Sequence, residues 1–175
     1  IGFADLLAAE IPDDRQRRQA TIVANSAKSL LRLINDILDL SKIEAGRLDI
    51  RPEFFSPVQM LEELRQIFAG RAQEKGLDLT CSADDSLPAG LLLDNARLRQ
   101  ILINLVGNAL KFTETGSVAV RAAATPAEGG EKCCNLTFSV ADTGIGIPDE
   151  FKPRLFGVFE QAPGQDHAKH GGTGL

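Results

Sequence analysis

The chain has 175 residues, of which 43% are hydrophobic, and its formal net charge is −5. This length and apolar content allow one or two globular domains. The negative charge argues against a nucleic-acid partner, since a basic patch is the usual footprint of such proteins. The sequence contains no apolar run long enough to span a membrane and no signal peptide, so we expect a soluble segment without membrane contact.

The first fifty residues have the pattern of a helical hairpin, with residues 1–9 as the end of one helix and residues 11–14 as a turn. The next helix should end near Glu44 and Ala45, with Gly46 just beyond its C-terminus. Its apolar residues recur at heptad positions a, d and e, as in a bundle helix. They are Ala20, Val23, Ala24, Ala27, Leu30, Leu31, Ile34, Ile37 and Leu38. On periodicity alone, a generic helical hairpin explains this pattern.

The helical pattern gives way near residues 49–54 to a short strand pattern that carries a proline. We therefore predict a first domain over residues 1–48 and a second over residues 49–175. Ser56 then begins a helix as its N-cap, with Gln59 as its capping-box partner.

Pro57 should be the first residue of that helix, which is expected to end near Gly76. Its predicted buried stripe is Val58, Leu61, Leu64, Ile67 and Phe68. The predicted strands are residues 77–81, 91–93, 117–124 and 133–141. Residues 125–132 have the composition of a polar hairpin loop.

Three cysteines, Cys81, Cys133 and Cys134, have an odd count and no metal-ligand spacing. This pattern predicts reduced thiols buried in strands and a cytoplasmic location. Redox sensing by the adjacent pair is the less favoured alternative, because a free cysteine usually behaves as a small buried hydrophobe.

Residues 94–113 predict one helix whose polar residues interrupt the apolar pattern on one side only. Asn104, Asn108 and Lys111 are spaced so that all three lie on one face. Carboxamide oxygens can complete the coordination of a hydrated magnesium ion, while a lysine ammonium can contact phosphate. Taken alone, the stripe fits an ordinary half-buried polar face equally well.

Residues 135–142 alternate as in a strand, and Asp142 ends this strand on its apolar face. A carboxylate at an apolar wall suits an exocyclic amine donor. Gly144 and Gly146 follow at once and allow close backbone approach and positive φ angles. For this motif alone, a strand that runs into a glycine turn is the simpler interpretation.

Near the end of the sequence, Phe156 and Phe159 lie three residues apart, and residues 171–175 read GGTGL. Residues 162–170 between them have the composition of a loop that can close over a ligand. Successive N–H groups of a glycine-rich turn can hold phosphate. For the loop alone, an unordered connector is the favoured interpretation.

In this order, the Asn stripe, the Asp-Gly-Gly motif, the paired Phe residues and Gly-Gly-Thr-Gly resemble the N, G1, F and G2 boxes of sensor histidine kinases. The wider superfamily also holds type II topoisomerases, a heat-shock chaperone family and mismatch-repair ATPases. The resemblance implies an α+β fold that binds ATP and Mg²⁺. A helical hairpin, half of a dimeric four-helix bundle with its first helix truncated, would precede an α/β sandwich whose mixed sheet is covered on one face by helices.

Carried over by position, the resemblance implies that Asn104, Asn108 and Lys111 form the catalytic set. Asn108 would be the principal magnesium ligand with Asn104 in support, and Lys111 would contact phosphate. Asp142 would accept a hydrogen bond from the adenine amine. The other implied nucleotide-binding residues are Gly144, Gly146, Ile147, Phe156, Gly171, Gly172, Thr173, Gly174 and Leu175.

The ATPase and serine-kinase branches of the superfamily resemble one another in having a glutamate at the position of Asn104. There the carboxylate acts as a general base for water or a hydroxyl group. Because Asn104 is not an acid, we expect slow or absent hydrolysis and transfer to a separately presented acceptor. This favours a histidine kinase over an ATPase.

GFADLL at residues 2–7 and LINDILDLSKIEAGRL at residues 33–48 closely resemble the dimerisation and phosphotransfer segment of these kinases, in particular of the hybrid subgroup with a fused receiver domain. In the family, the acceptor histidine lies upstream of the segment that matches Ile1, so we expect this sequence to begin after it. We assign no catalytic part to His167 and His170, because a lid residue would not be delivered in line by a partner domain.

The resemblance thus implies the ATP-binding catalytic core of a protein-histidine kinase. It would transfer the γ-phosphoryl group to a histidine on the dimerisation helix and thence to an aspartate of a response-regulator receiver domain. The intact protein would be a homodimer through the hairpin and cytoplasmic, and many family members carry membrane-spanning segments upstream. In the family a helix after the second glycine box faces the phosphates, so we expect this domain to be truncated after Leu175.

Two other functions remain open. One is an ATPase of the wider superfamily, and the other is a non-catalytic nucleotide-binding dimerisation module. The second would be expected to lack the key Asn, Asp or glycine residues, and the sequence retains all of them.

Overall fold

The computed structural model of the chain describes residues 11, 13–127, 133–155 and 157. Residues 50–149 form one compact unit, and the described residues outside this range belong to a second. The predicted first helix at residues 1–9, both histidines and the predicted closing loop at residues 162–170 lie outside the described residues.

A long helix, α1, spans Asp14–Glu44. It begins at Asp14, the last residue of the predicted turn, because the side chain of Asp13 accepts a hydrogen bond from the backbone N–H of Gln16 at 2.8 Å. The helix ends as predicted, with Ala45 as C-cap and Gly46 at φ 64°. Within its apolar stripe, Ala24 is buried, whereas the larger side chains are exposed. They are Val23, Leu30, Leu31, Ile34, Ile37 and Leu38.

The helix α2 spans Pro57–Glu74, and Ser56 caps it by accepting a hydrogen bond from the backbone N–H of Gln59 at 3.3 Å. The second half of the predicted capping box is wrong, because the Gln59 side chain donates to Glu63 instead. The buried residues are Pro57, Met60, Leu61, Leu64, Phe68 and Ala72.

The prediction that Val58 and Ile67 belong to this buried stripe is also wrong. Both side chains are about half exposed, at 51% and 52%. At 3.6 residues per turn, each lies about a quarter turn from the centre of the buried stripe, on opposite flanks.

The main sheet has three strands in the order β2-β4-β5, where β2 is Asp78–Ala83, β4 is Ser117–Pro126 and β5 is Cys134–Asp142. Strand β4 pairs in parallel with β2 and antiparallel with β5, so the predicted mixed sheet is confirmed. Two further strands, β1 (Glu53–Phe55) and β3 (Leu91–Leu93), form a separate antiparallel pair.

The predicted strand limits differ from those observed by up to two residues. Strand β4 continues to Pro126 because Pro126 pairs with Cys134, which shortens the predicted hairpin loop at its start. Strand β2 continues to Ala83, opposite Ala122 of β4. Both extensions depend on a partner strand, which local composition does not reveal.

The core lies between the sheet and two helices, α2 and α3, the latter spanning Asn95–Phe112. Alternate residues of β4, from Val118 to Ala124, are buried, as expected for a strand with one covered face. Leu102, Val106 and Leu110 of α3 and Leu64 of α2 belong to the same cluster. Each such side chain stabilises the fold by about 1.5–3 kcal/mol when fully buried.

The cysteine prediction is partly wrong. Cys81 and Cys134 are half-buried on strands, but Cys133 is exposed and precedes β5. Burial raises the pKa of the Cys81 thiol, which disfavours its reactive thiolate.

Candidate functional site

The helix α3 carries the polar stripe, and its first turn is held by Asp94. The Asp94 carboxylate accepts hydrogen bonds from the backbone N–H groups of Arg51, at 2.9 Å, and Arg97, at 3.0 Å. These bonds lower the pKa of Asp94, since they stabilise its charged form. Asp94 and Thr113 are the two caps, so the predicted helix at residues 94–113 is confirmed to within one residue at each end.

Along α3, Asn104 and Lys111 are half-buried and Asn108 is exposed. The Lys111 ammonium lies 4.6 Å from the centre of the Phe112 ring. Burial lowers the pKa of Lys111, and the charge of Arg71 lowers it further. The stripe therefore presents two carboxamides and a partly desolvated cation on one side of the helix.

Asp142 is the last residue of β5, and strand pairing fixes its backbone opposite Val118. Its side chain is exposed, and one carboxylate oxygen accepts a hydrogen bond from the backbone N–H of Gly144 at 2.9 Å. A carboxylate offers about four acceptor positions, so this turn leaves capacity for another donor.

The loop that follows Asp142 lies directly against the C-terminal end of α3. The backbone N–H of Ile145 donates to the carbonyl oxygen of Phe112 at 3.4 Å. A Cβ atom at Gly144 would lie 2.5 Å from that oxygen, which is closer than real contacts allow. Gly146 adopts φ 70°, a conformation that favours glycine. The structure thus brings the Asp142–Gly146 segment to the helix that carries Asn108 and Lys111.

Thr143 fixes the same loop from its other side. Its backbone N–H donates to Ser117 O at 3.1 Å, and its hydroxyl oxygen accepts from Ser117 N at 3.0 Å. The hydroxyl can also donate to Thr115 O at 3.3 Å. Sequence reasoning did not single out Thr143. The available signal was a hydroxyl residue inside a glycine-rich turn, where such side chains commonly bond the backbone.

Ile145 and Ile147 extend this junction with apolar surface. Their side chains are 74% and 47% exposed. The remaining predicted nucleotide-binding residues, Phe156 and Gly171 to Leu175, lie outside the described residues. The structure therefore brings together the polar stripe of α3 and the Asp142–Ile147 segment, whereas the second glycine motif lies outside the described residues.

The donor groups at the junction fit a magnesium ion carried by a nucleotide. Across the described ranges, no three His, Cys, Asp or Glu side chains cluster in a way that could hold a metal. Carboxamide oxygens are hard ligands, and Mg²⁺ usually keeps several waters and takes further oxygens from substrate phosphates. Asn108 with Asn104 fits that mode of binding better than a site built wholly from protein ligands.

Among the helices that the structure describes, none combines the length and the apolar composition that a membrane span requires.

Two family models match the sequence. Residues 93–175 match the histidine kinase-, DNA gyrase B- and HSP90-like ATPase family, and residues 1–46 match the His Kinase A (phospho-acceptor) domain. The first match contains α3 and the Asp142–Gly146 segment, and the second contains all of α1.

Curated relatives match over the whole chain. Hybrid signal transduction histidine kinase L of Dictyostelium discoideum is 42% identical over 175 residues, which are 100% of this chain and 10% of that protein. Signal transduction histidine-protein kinase BarA of Escherichia coli K12 is 38% identical over 100% of this chain and 19% of its own length. The chain thus corresponds to a small part of each relative.

Among solved structures, full-length ShkA in complex with AMPPNP has a TM-score of 0.73 and 35% identity, over 91% of this chain and 33% of that chain. The histidine kinase AdeS of Acinetobacter baumannii has a TM-score of 0.66 and 23% identity, over 85% of this chain and 68% of the AdeS chain. At that identity, the likeness supports the fold alone. Because the phospho-acceptor and ATPase-like segments occur together here, the chain belongs to the sensor histidine kinase family and comprises its catalytic ATP-binding core.

Proposed function

We propose that this chain binds ATP with Mg²⁺ and transfers the γ-phosphoryl group to a histidine on the dimerisation helix of the intact protein. The bond between the γ-phosphorus and the β–γ bridging oxygen breaks, a phosphorus–nitrogen bond to imidazole forms, and ADP leaves. The observation that carries the proposal is the junction at Phe112 O, where the Asp142–Gly146 segment meets the helix of Asn108 and Lys111. The AMPPNP complex of ShkA, at 35% identity, supports the choice of nucleotide.

Asp142 is proposed to select adenine. Its carboxylate can accept a hydrogen bond from the exocyclic amine of adenine, beside the apolar side chains of Ile145 and Ile147. Guanine presents a carbonyl oxygen at that position, so two acceptors would face each other without a proton between them. Leaving polar groups unpaired in this way is the strongest source of discrimination that a binding site has.

Asn104, Asn108 and Lys111 are proposed to act on the phosphates. Phosphoryl transfer depends mainly on positioning and on neutralising charge at the transferred group. Asn108, with Asn104 in support, would hold the magnesium ion, which would neutralise part of the phosphate charge, and the Lys111 ammonium would offset the remaining charge. The partial desolvation of Lys111 strengthens its attraction to an anion.

Transfer to histidine is favoured over hydrolysis because Asn104 is a carboxamide. It stands one helical turn before Asn108, where a carboxylate could take a proton from water. A carboxamide has no such basicity, and a neutral imidazole nitrogen attacks without needing a base. Nothing at this position therefore favours the ATPase alternative.

The wider arrangement is proposed on the same basis. The exposed apolar stripe of α1 supports a homodimer through the hairpin in the intact protein. The likeness to hybrid histidine kinases supports a response-regulator receiver domain as the next acceptor, after the histidine, of the phosphoryl group. We place the domain boundary at residues 48 and 49, between the end of α1 at Glu44 and the start of β1 at Glu53. A requirement for ATP favours a cytoplasmic location for this segment.

Calorimetric titration with AMPPNP and with the equivalent GTP analogue, each with and without Mg²⁺, tests this proposal. The expected result is magnesium-sensitive binding that prefers adenine and weakens at least tenfold in Asp142→Asn, since a hydrogen bond to a charged group is lost. Asp85→Asn, which removes an exposed carboxylate elsewhere in the same unit, should bind as the wild type does.

Two results would contradict the proposal. Unchanged affinity in Asp142→Asn would mean that adenine binds elsewhere. Failure to bind AMPPNP, both in this chain and in a chain extended beyond Leu175, would mean that the nucleotide site is not functional.

A further inference from the structure

Lys75 lies outside the stripe and the glycine motifs, yet its side chain contacts the end of α3. Its ammonium donates to Leu110 O at 2.6 Å and to Thr113 O at 2.8 Å, and it lies 3.4 Å from Lys111 O. An ammonium has three protons to donate, so these carbonyls can use all of them.

These contacts complete the C-terminus of α3. The last four carbonyls of a helix lack intrahelical partners and carry the negative end of its dipole. Ala109 O accepts from the backbone and hydroxyl of Thr113, and Phe112 O accepts from Ile145. The two carbonyls between them, those of Leu110 and Lys111, are the ones that Lys75 contacts.

The backbone of Lys75 is itself fixed. Lys75 is the C-cap of α2, and its N–H donates to Ala72 O and Arg71 O. Gly76 follows at φ 65°, and the buried Leu77 donates back to Ala72 O at 2.9 Å. This arrangement is a Schellman motif, which holds the chain direction after a helix. The ammonium therefore extends from a rigid base.

We propose that Lys75 is a positioning residue for the nucleotide site, which holds the last turn of α3 so that Asn108 and Lys111 face the Asp142 loop. The inference rests on the proposed function, because it assigns Lys75 a role in binding the magnesium and phosphate part of ATP. Lys75 itself would not touch the nucleotide. It acts through the carbonyls of the helix end.

The two halves of the site depend on Lys75 to different degrees. Asp142 is fixed by its pairing with Val118, and Thr143 is bonded to Ser117, so the adenine side is held by the sheet. Asn108 and Lys111 are carried by the helix whose end Lys75 binds. Loss of the Lys75 ammonium should therefore weaken phosphate and magnesium contacts while leaving adenine recognition largely intact.

The test compares AMPPNP with Mg²⁺ and adenosine as ligands of the wild-type chain, Lys75→Met and Lys75→Arg. Calorimetry measures the first ligand and NMR titration the second. Lys75→Met should raise the Kd for AMPPNP about tenfold, as expected when charge-assisted hydrogen bonds are lost, and that for adenosine less than about twofold. Lys75→Arg should recover part of the AMPPNP affinity, because it restores a cationic donor.

Val120→Ala is the control for a general loss of stability. Val120 is buried in β4 and is not part of the end of α3. This variant should therefore lower the melting temperature without changing the affinities for AMPPNP and adenosine by different factors. If Lys75→Met does not fold, Lys75→Gln, which keeps a donor without the charge, takes its place with the same expectations.

The proposal is overturned if the substitution at Lys75 leaves AMPPNP affinity unchanged, or if it weakens both ligands by the same factor. Absence of AMPPNP binding in the wild-type chain is a different outcome, because it contradicts the proposed function rather than the role of Lys75 alone.

Discussion

The α carbon of Gly144 lies so close to the carbonyl oxygen of Phe112 that an added Cβ atom would be 2.5 Å from that oxygen. The end of α3 and the loop after β5 therefore meet through backbone atoms with no side chain between them. The next residue, Ile145, donates to the same oxygen. This contact brings together two sequence motifs that are more than thirty residues apart.

Gly144→Ala should weaken both the fold and nucleotide binding. Its Cβ would overlap the Phe112 carbonyl, which is backbone and cannot swing aside, and would also lie 2.8 Å from Oδ1 of Asp142. Overpacking of this kind costs about 1–3 kcal/mol. Thermal denaturation and AMPPNP titration measure the two effects.

Gly70→Ala is the matched control for that substitution. Gly70 lies within α2, and nothing within 4 Å would meet its Cβ. Alanine should stabilise the helix there by about 0.5–1 kcal/mol and leave binding unchanged. If Gly144→Ala behaved like Gly70→Ala, the close approach of loop and helix would not be required.

Asn108→Ala should remove the magnesium dependence of AMPPNP binding. The side chain is exposed, and alanine is the better helix former, so the melting temperature should stay the same or rise slightly. We expect affinity with Mg²⁺ to fall at least tenfold, while affinity without Mg²⁺ stays within about twofold, because only the metal contact is lost.

Asn135→Ala removes an exposed carboxamide on β5 and serves as the control for Asn108→Ala. It should retain the full magnesium effect. If Mg²⁺ still strengthened AMPPNP binding in Asn108→Ala, the ion would be held by other ligands.

The helix limits could be predicted from sequence because helix caps are local. Asp94 and Ser56 cap the first turns of α3 and α2, while Gly46 and Gly76 follow α1 and α2 with positive φ angles. Each signal lies within three residues of the boundary it sets. The buried face of α2 was harder to predict, since Met60 is buried rather than Val58 only because of where the sheet lies.

Local sequence patterns also predicted one part of the candidate site. The spacing of Asn104, Asn108 and Lys111 puts them on one face of any helix, so periodicity was enough. The contacts of Phe112 O with Ile145 and of Leu110 O with Lys75 join residues far apart in the chain. No local pattern reports such tertiary contacts, and Lys75 therefore had no sequence signal beyond its place before a helix-ending glycine.

The ion pair of Asp84 and Arg121 predicts a pH-dependent part of the stability. A hydrogen bond from the Arg121 guanidinium, with further bonds from Ser86, lowers the pKa of the Asp84 carboxyl to about 2. The folded state thus favours the carboxylate. The stabilisation is complete above the ordinary aspartate pKa of about 4 and is lost as the pH falls towards 2.

Glu62 titrates in the same range, because a hydrogen bond from Arg65 lowers the pKa of Glu62 to about 2. A double-mutant cycle separates the contribution of the Asp84–Arg121 pair from that of Glu62. Arg121→Gln should lower the melting temperature at pH 7 more than at pH 2. In the Asp84→Asn background, it should have the same small effect at both pH values. A pH-dependent effect of Arg121→Gln in that background would show that Arg121 acts on another acid.

Lys111→Met should weaken AMPPNP binding without lowering the stability of the fold. Burial, with a further contribution from Arg71, lowers the pKa of Lys111, which means that the folded state disfavours its charge. That unfavourable contribution is present at neutral pH, fades as the pH rises through the lowered pKa, and is gone above the ordinary lysine pKa of about 10.4. Removing the charge should therefore leave the melting temperature unchanged or raise it, while AMPPNP affinity falls about tenfold or more through loss of a charged phosphate contact.

Lys42→Met provides the comparison, because Lys42 also lies in the last turn of a helix and is exposed. It should lower the melting temperature slightly or not at all, since a cation there favours the helix dipole, and AMPPNP binding should not change. A Lys111→Met variant that was less stable than the wild type and bound AMPPNP equally well would make Lys111 a structural residue rather than a phosphate contact. We expect the reverse, which is a variant at least as stable as the wild type that binds AMPPNP more weakly. This result would mean that the Lys111 charge costs the fold stability and contributes to binding the phosphates.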